Sequence, residues 1–256
     1  MVKDINSGSS SSSPNYLTAV GNTLYFAADN GTNGTELWKS DGTSLGTIMV
    51  KDIWSGNDSD TTDPCSADPS YITAFGNDSV LFSAMSGSSG NCDYMSFMLP
   101  TELWISNGTQ NGTFKLNDIY SENDPNDIEE MFIFNSTTVF FRASYGGYHT
   151  ELWKTNGTTS GTMMVKDIYP GAYTGHSGNP QCFAIHNGLL YFRGTDAAHG
   201  NELWKSDGTE SGTTLVDDIN NGAVSSNPCG MVSVNGLAFI TAYTTPLGTH
   251  LRSLII

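Results

Sequence analysis

One eight-residue phrase constrains this chain more than any other feature. Glu36-Leu37-Trp38-Lys39-Ser40-Asp41-Gly42-Thr43 returns as Glu102-Leu103-Trp104-Ile105-Ser106-Asn107-Gly108-Thr109. It returns again as Glu151-Leu152-Trp153-Lys154-Thr155-Asn156-Gly157-Thr158 and as Glu202-Leu203-Trp204-Lys205-Ser206-Asp207-Gly208-Thr209. A worn fifth copy, Gly248-Thr249-His250-Leu251-Arg252-Ser253, lies near the C-terminal end. The four tryptophans and Arg252 are spaced by about 66, 49, 51 and 48 residues, and a period near 50 is that of propeller blades or large solenoid repeats.

A second phrase keeps the same step: Val2 to Ile5, Val50 to Ile53, Leu116 to Ile119, Val165 to Ile168 and Val216 to Ile219. Between the phrases, each repeat reads as four strands. The first follows a proline, Pro14, Pro69, Pro125, Pro180 or Pro228, a position where no ladder donor is lost. Turns such as Gly21-Asn22 and Asn187-Gly188 lead to a second, aromatic strand, for example Leu24-Tyr25-Phe26. The third strand carries Glu-Leu-Trp, and the fourth ends in Val-Lys-Asp-Ile. No stretch of useful length has helical periodicity.

Leu37 and Trp38 are adjacent, so they point to opposite faces of a strand. Sheets apolar on both faces are packed on both sides, as propeller blades are, with a β-solenoid as the runner-up. The fold expected is therefore all-β: a single domain over 1–256, a five-bladed β-propeller of four-stranded blades. The blades are expected at 6–53, 54–119, 120–168, 169–219 and 220–256 plus 1–5. The last would be closed by the N-terminal strand Met1 to Ile5; the same strand donated to another molecule would give an open filament.

The phrases resemble the ELWxxDGT repeat, carried in tandem by many large, mostly bacterial surface or secreted proteins. The following Gly-Thr pairs (Gly46-Thr47, Gly112-Thr113, Gly161-Thr162, Gly212-Thr213) extend the match. The resemblance implies a β-propeller-like extracellular repeat protein and no named enzymatic activity. Asn107 and Asn156 depart from it by replacing the motif's Asp, and the fifth copy lacks Glu, Trp and Asp.

Charge and modification signals agree with an extracellular or cell-surface place. With 26 acidic and 10 basic residues the net charge is −16, which opposes nucleic-acid binding through clustered cations and docking on anionic membranes. No apolar run is long enough to insert in a membrane, and the repeat phrase at Val2 leaves no leader in the chain as it stands. Eight sequons start at Asn30, Asn33, Asn57, Asn77, Asn107, Asn111, Asn135 and Asn156, so covalent glycans are expected partners. Ser9 to Ser13 reads as a flexible loop, or as a cluster of O-linked sugars. The four cysteines lack metal spacing; Cys65–Cys92 and Cys182–Cys229 are the expected bridges among three possible connectivities.

Candidate chemistry divides into repeated and unrepeated residues. Asp41 and Asp207 are matched by Asn107 and Asn156, which cannot trade a proton, so the Asp-Gly-Thr element reads as a turn. Asp4, Asp52, Asp118, Asp167 and Asp218 read as strand-end carboxylates, with a calcium-holding ring as the alternative. Hairpin register sets Glu36 opposite Lys51 and Glu151 opposite Lys166, pairs stabilising by about 0.2–1 kcal/mol. The same register would oppose Glu202 to Asp217. Trp38, Trp104, Trp153 and Trp204 read as packing between blades. The histidines 149, 176, 186, 199 and 250 show no metal spacing, and no nucleophile elbow or phosphate loop occurs.

The unrepeated residues lie in the second repeat, in insertions Trp54 to Ala67 and Ser86 to Pro100. Asp58, Asp60, Asp63, Asp68 and Asp93 beside Trp54, Tyr94 and Phe97 could bind or cleave sugar, or form a solvated acidic loop. The reading preferred is a non-catalytic glycosylated structural or adhesive module that self-associates or joins a neighbouring surface protein. A carbohydrate-binding propeller and a glycan-active enzyme are the alternatives. No cofactor is expected beyond a weak case for calcium.

Overall fold

The structure is a computed structural model that describes residues 1–87, 92, 101–117, 128–145, 149–171 and 175–254. It is all-β, with one 3-10 turn at Thr159–Gly161 among the described residues. The strands are β1 Asn15–Val20, β2 Thr23–Asp29, β3 Thr35–Ser40 and β4 Ile48–Lys51, then β5 Ser70–Phe75, β6 Ser79–Met85, β7 Thr101–Ser106 and β8 Thr113–Asn117. There follow β9 Ile128–Asn135, β10 Thr138–Tyr145, β11 His149–Thr155 and β12 Met163–Lys166, then β13 Gln181–His186, β14 Leu189–Asp196, β15 Gly200–Ser206 and β16 Thr214–Asp217. The last are β17 Cys229–Val234, β18 Leu237–Thr244 and β19 Gly248–Leu254. They form four sheets of four antiparallel strands and one of three, each in simple up-and-down order.

The period-2 argument holds at every clear copy of the phrase. Leu37 and Trp38 are 0 % and 5 % exposed, Leu152 and Trp153 0 % and 8 %, so both faces of these strands are covered. Each tryptophan sits beside the second-strand phenylalanine of its own sheet. Phe26 is registered with Trp38, Phe82 with Trp104 and Phe192 with Trp204, and the Phe82 and Trp104 rings stack at 6.4 Å.

Two irregularities recur. In β1, β5, β13 and β17 the register with the next strand shifts after the first residue. The second residue of β1, β5, β13 and β17 and the third of β9 have positive φ: Tyr16 at 53°, Tyr71 at 51°, Cys182 at 60° and Gly230 at 66°, with Glu130 at 50°. A second bulge falls between third and fourth strands, so that Leu37, not Glu36, faces Lys51, and Leu203 faces Asp217. The expected Glu36–Lys51, Glu151–Lys166 and Glu202–Asp217 registers are thus displaced by one residue.

The described chain divides into two compact units, residues 1–139 with 156–162, and residues 140–155 with 163–256. In the first, β1 lies against β5 and β5 against β9. Its largest core cluster gathers Tyr25, Leu37, Val50, Trp54, Phe82 and Trp104. In the second, β13 lies against β17, and Tyr191, Leu203, Ile219 and Ile240 share a cluster.

Met1 to Ile5 form no strand, and the fifth sheet holds only β17, β18 and β19. Instead, the N-terminal segment packs on the first sheet. Lys3 Nζ donates to Thr47 O at 2.7 Å and lies 6.0 Å over the Trp38 ring. Lys51, at the same place in its own Val-Lys-Asp-Ile, donates to Thr113 O at 2.7 Å and lies 5.6 Å over Trp104. The first phrase therefore meets the first sheet as the second phrase meets the second sheet.

Candidate functional site

Three of the four repeated glutamates are buried, and the bulge beside them explains what they do. Glu36 is 0 % exposed. Its Oε2 accepts Ile53 N at 2.8 Å, and its Oε1 accepts Trp54 N and Ala67 N, both at 3.3 Å. Glu151 accepts Ile168 N at 2.9 Å and Gly178 N at 2.7 Å. Glu202 accepts Ile219 N at 3.0 Å, Ser226 N at 2.8 Å and Ser226 Oγ at 2.6 Å. Ala67, Gly178 and Ser226 each stand two residues before the proline that opens the next sheet. Each glutamate therefore clamps the crossover from its own sheet to the following one. Burial pushes Glu36 up to about 8 and Glu151 up to about 7, against the pull of these N–H bonds. Burial raises Glu202 as well. Glu102 differs: its Oε1 pairs with Lys115 Nζ at 2.8 Å.

Trp54 and Ala67 are the first and last residues of the first insertion, so Glu36 holds both of its ends. Between them the loop folds on itself. Asp58 N donates to Asp63 O at 2.8 Å, Asn57 Nδ2 to Thr62 O at 2.7 Å and Cys65 N to Gly56 O at 2.9 Å. Asp58 is 7 % exposed and accepts Asp60 N and Thr61 N, which lowers its pKa and makes it a loop residue. Cys65 and Cys92 are bonded, with Cα atoms 5.6 Å apart, as are Cys182 and Cys229 at 5.3 Å. Both are the bridges expected from the sequence.

Under this loop lies a cavity of ≈ 270 Å³ lined by Trp54, Asp63, Pro64, Asp68, Met85 and the Cys65–Cys92 bridge, among others. A wider polar recess of ≈ 470 Å³ shares Asp63, Pro64 and Ser66 and reaches Asp29 and Asn6. Trp54 is 2 % exposed, and its indole N–H has no hydrogen-bond partner among the described residues. Crowding around the Asp68 carboxyl raises its pKa although the residue's surface is open, and nearby Asp29 adds repulsion. The site thus offers an apolar wall and the carboxylates of Asp63 and Asp68, a set that suits a neutral hydroxylated molecule better than an anion. Asp60 belongs to the exposed part of the same loop. Asp93, Tyr94 and Phe97 lie outside the described residues, as do Asp118 and Pro125.

The other residues singled out by sequence serve the scaffold. Asp41 Oδ1 accepts Thr43 N at 2.9 Å and Thr43 Oγ1 at 2.7 Å; Asn107 Oδ1 accepts the same pair from Thr109 at 3.1 and 2.7 Å. Asn156 and Asp207 repeat the arrangement with Thr158 and Thr209. The Thr43 bonds hold Asp41 below the usual carboxylate range, and those of Thr209 do the same for Asp207. A Cβ on Gly46, Gly112, Gly161 or Gly212 would overlap this carboxyl or amide, which explains the second Gly-Thr of the motif. Asp52 accepts Asn33 Nδ2 at 2.8 Å, and Asp218 accepts Gly222 N at 2.9 Å. His199 Nδ1 lies 2.8 Å from Asp196 Oδ2 and has its pKa raised by that bond. Among the described residues no three His, Cys, Asp or Glu side chains converge as a metal group, and no helix is long and apolar enough to cross a membrane.

No family model and no curated protein matches the chain. Solved structures do. A structure from work on two prolyl endopeptidases aligns with a TM-score of 0.55 at 10% identity, over 98% of this chain and 35% of that one. Prolyl oligopeptidase B from Galerina marginata aligns at 0.51 and 12% identity, over 97% and 36%. Oligopeptidase B from Leishmania major aligns at 0.50 and 10%, over 93% and 31%. The chain spans about a third of the length of each. At such identity the likeness speaks for the fold alone, and that fold is an all-β, β-propeller-like arrangement of antiparallel sheets.

Proposed function

We propose that this chain is a non-catalytic extracellular, glycosylated structural or adhesive module of the ELWxxDGT type, with its five sheets closed into a five-bladed ring. One observation carries the non-catalytic reading. The acids and aromatics that recur are absorbed by the scaffold: Glu36, Glu151 and Glu202 into crossover clamps, Asp41 and Asp207 into turns, the tryptophans into packing. The packing of Lys3 on Thr47 and Trp38 supports ring closure, because it is the packing a preceding blade's fourth strand would make. Two disulfides and the acidic surface fit an oxidising, extracellular place. In this reading the surface copies meet one another or a neighbouring surface protein. Electron microscopy of the secreted chain tests it: rings with five-fold features support closure, and open crescents at every concentration oppose it.

The cavity beneath the first insertion favours a second reading, a carbohydrate-binding site confined to the second repeat. Its carboxylates and its apolar wall are the complement of a sugar's mixed surface. Binding of neutral sugars on a glycan array, lost in Asp63→Asn together with Asp68→Asn, would support it. A blank array would remove it.

A further inference from the structure

The eight sequons fall into two sets that sequence alone does not separate. In an up-and-down sheet the hairpins joining strands one to two and three to four share one end. The connection between strands two and three, and the crossover to the next sheet, share the other. Asn77 and Asn135 stand at first hairpins, and Asn107, Asn111 and Asn156 at last hairpins. Asn30 and Asn33 lie between β2 and β3, and Asn57 lies in the crossover between β4 and β5.

The amide nitrogens divide in the same way. At the crossover end each is used by the loop. Asn30 Nδ2 donates to Asn33 Oδ1 at 3.0 Å, Asn33 Nδ2 to Asp52 Oδ2 at 2.8 Å and Asn57 Nδ2 to Thr62 O at 2.7 Å. Asn30 and Asn33 are also half-buried. At the hairpin end Asn77, Asn107, Asn111, Asn135 and Asn156 are exposed. At Asn107, Asn135 and Asn156 the side-chain oxygen holds the N–H and hydroxyl of the threonine two residues on. That bond occupies the oxygen, while the amide nitrogen makes no hydrogen bond among the described residues.

We propose that N-linked glycans are carried only at the hairpin end, on Asn77, Asn135, Asn156 and the turn that holds Asn107 and Asn111, while the crossover end with its cavity stays bare. The proposal rests on the extracellular, glycosylated reading above. Attachment joins the amide nitrogen to the anomeric carbon of a lipid-diphosphate-linked oligosaccharide. The C–O bond to the diphosphate breaks, the lipid diphosphate leaves and one amide proton is lost. A glycan fixed at Asn33 would have to fit in a half-buried loop beside an N–H already directed at Asp52, and one at the exposed Asn57 would have to displace or crowd the bond to Thr62 O that folds the insertion on itself. At the hairpin end the fold stays as it is.

The test is site occupancy on the chain secreted from cultured mammalian cells. Enzymatic release of N-glycans in heavy-oxygen water converts each occupied Asn to labelled Asp, which peptide mass spectrometry reads. Label is expected at Asn77, Asn135, Asn156 and at Asn107 or Asn111, with none at Asn30, Asn33 and Asn57. Comparable label at any of the latter three overturns the partition but leaves the glycosylated reading standing; no label at any site removes that reading itself. A variant carrying Asn77→Gln, Asn107→Asp, Asn111→Gln, Asn135→Asp and Asn156→Asp should be secreted with complete loss of the glycan mass shift. Asp at 107 and 156 keeps the turn, as Asp41 and Asp207 show. Any remaining shift would overturn the partition independently.

Discussion

Glu36 Oε1 accepts the backbone N–H of Ala67 at 3.3 Å, across 31 residues of chain. The contact closes the first insertion at its base, so the crossover can lengthen without disturbing either sheet. Glu36→Ala would strand the N–H groups of Ile53, Trp54 and Ala67 in a buried place, at a cost of about 3–5 kcal/mol. Glu36→Gln keeps one acceptor oxygen but turns an NH₂ toward the remaining donors, so its cost should fall between wild type and Glu36→Ala. Urea denaturation of the three proteins checks the order. Equal stability of wild type and the alanine variant would remove the clamp.

The buried glutamates also set a pH dependence. Glu36 rises from 4.5 to about 8 and Glu151 to about 7 in the folded chain, so the folded state holds protons that the unfolded state has released. That contribution is full below about pH 4.5 and is lost as pH climbs through about 7–8, by on the order of a few kcal/mol. The lowered Asp41 and Asp207 act the other way, losing their contribution only as pH falls below 3.8. Stability should therefore peak in mild acid. Melting temperatures that rise from pH 5 to pH 8.5 would contradict this.

At the motif turn, two substitutions of similar size should part company. Asp41→Asn keeps the oxygen that Thr43 donates to, and should change stability by less than about 0.5 kcal/mol. Gly46→Ala places a methyl group where the Asp41 carboxyl lies, and should cost about 1–3 kcal/mol. Thermal melts of both variants decide; an alanine variant as stable as the asparagine one would mean the turn opens freely.

Glu130 offers a gain. Its φ of 50° costs an L-residue about 1–2 kcal/mol, and β17, the first strand of the last sheet, uses Gly230 for its own positive-φ residue. Glycine has its own entropic cost of about 0.5–1 kcal/mol. Glu130→Gly should therefore be neutral or stabilising by up to about 1 kcal/mol, although glycine inside a strand normally weakens it. A loss above 1 kcal/mol in chemical denaturation would speak against the strain.

What sequence made legible here was whatever a copied side chain reports. Strand identity followed from the alternation of Leu37 and Trp38, and the turn from the exchange of Asp41 for Asn107. The Cys182–Cys229 bridge followed from equivalent positions in neighbouring repeats, and Cys65–Cys92 from two insertions of one repeat that each carry a cysteine. The Glu36 clamp stayed hidden because a bulge before Trp38 slips the ladder by one residue, and pattern alone does not reveal a slip. The positive-φ residues Tyr16, Tyr71 and Cys182 carry no glycine to mark them. The cavity beside Trp54 was visible only as an insertion rich in acids; its walls meet through a crossover and a disulfide.

The shared geometry of Asp41, Asn107, Asn156 and Asp207 has a genetic consequence. Aspartate and asparagine codons differ by one base, and Gly-Thr already follows every copy. Each aspartate turn thus stands one transition from a glycan acceptor, with no refolding in between. The coat of such a protein could be redrawn mutation by mutation while its frame stayed fixed.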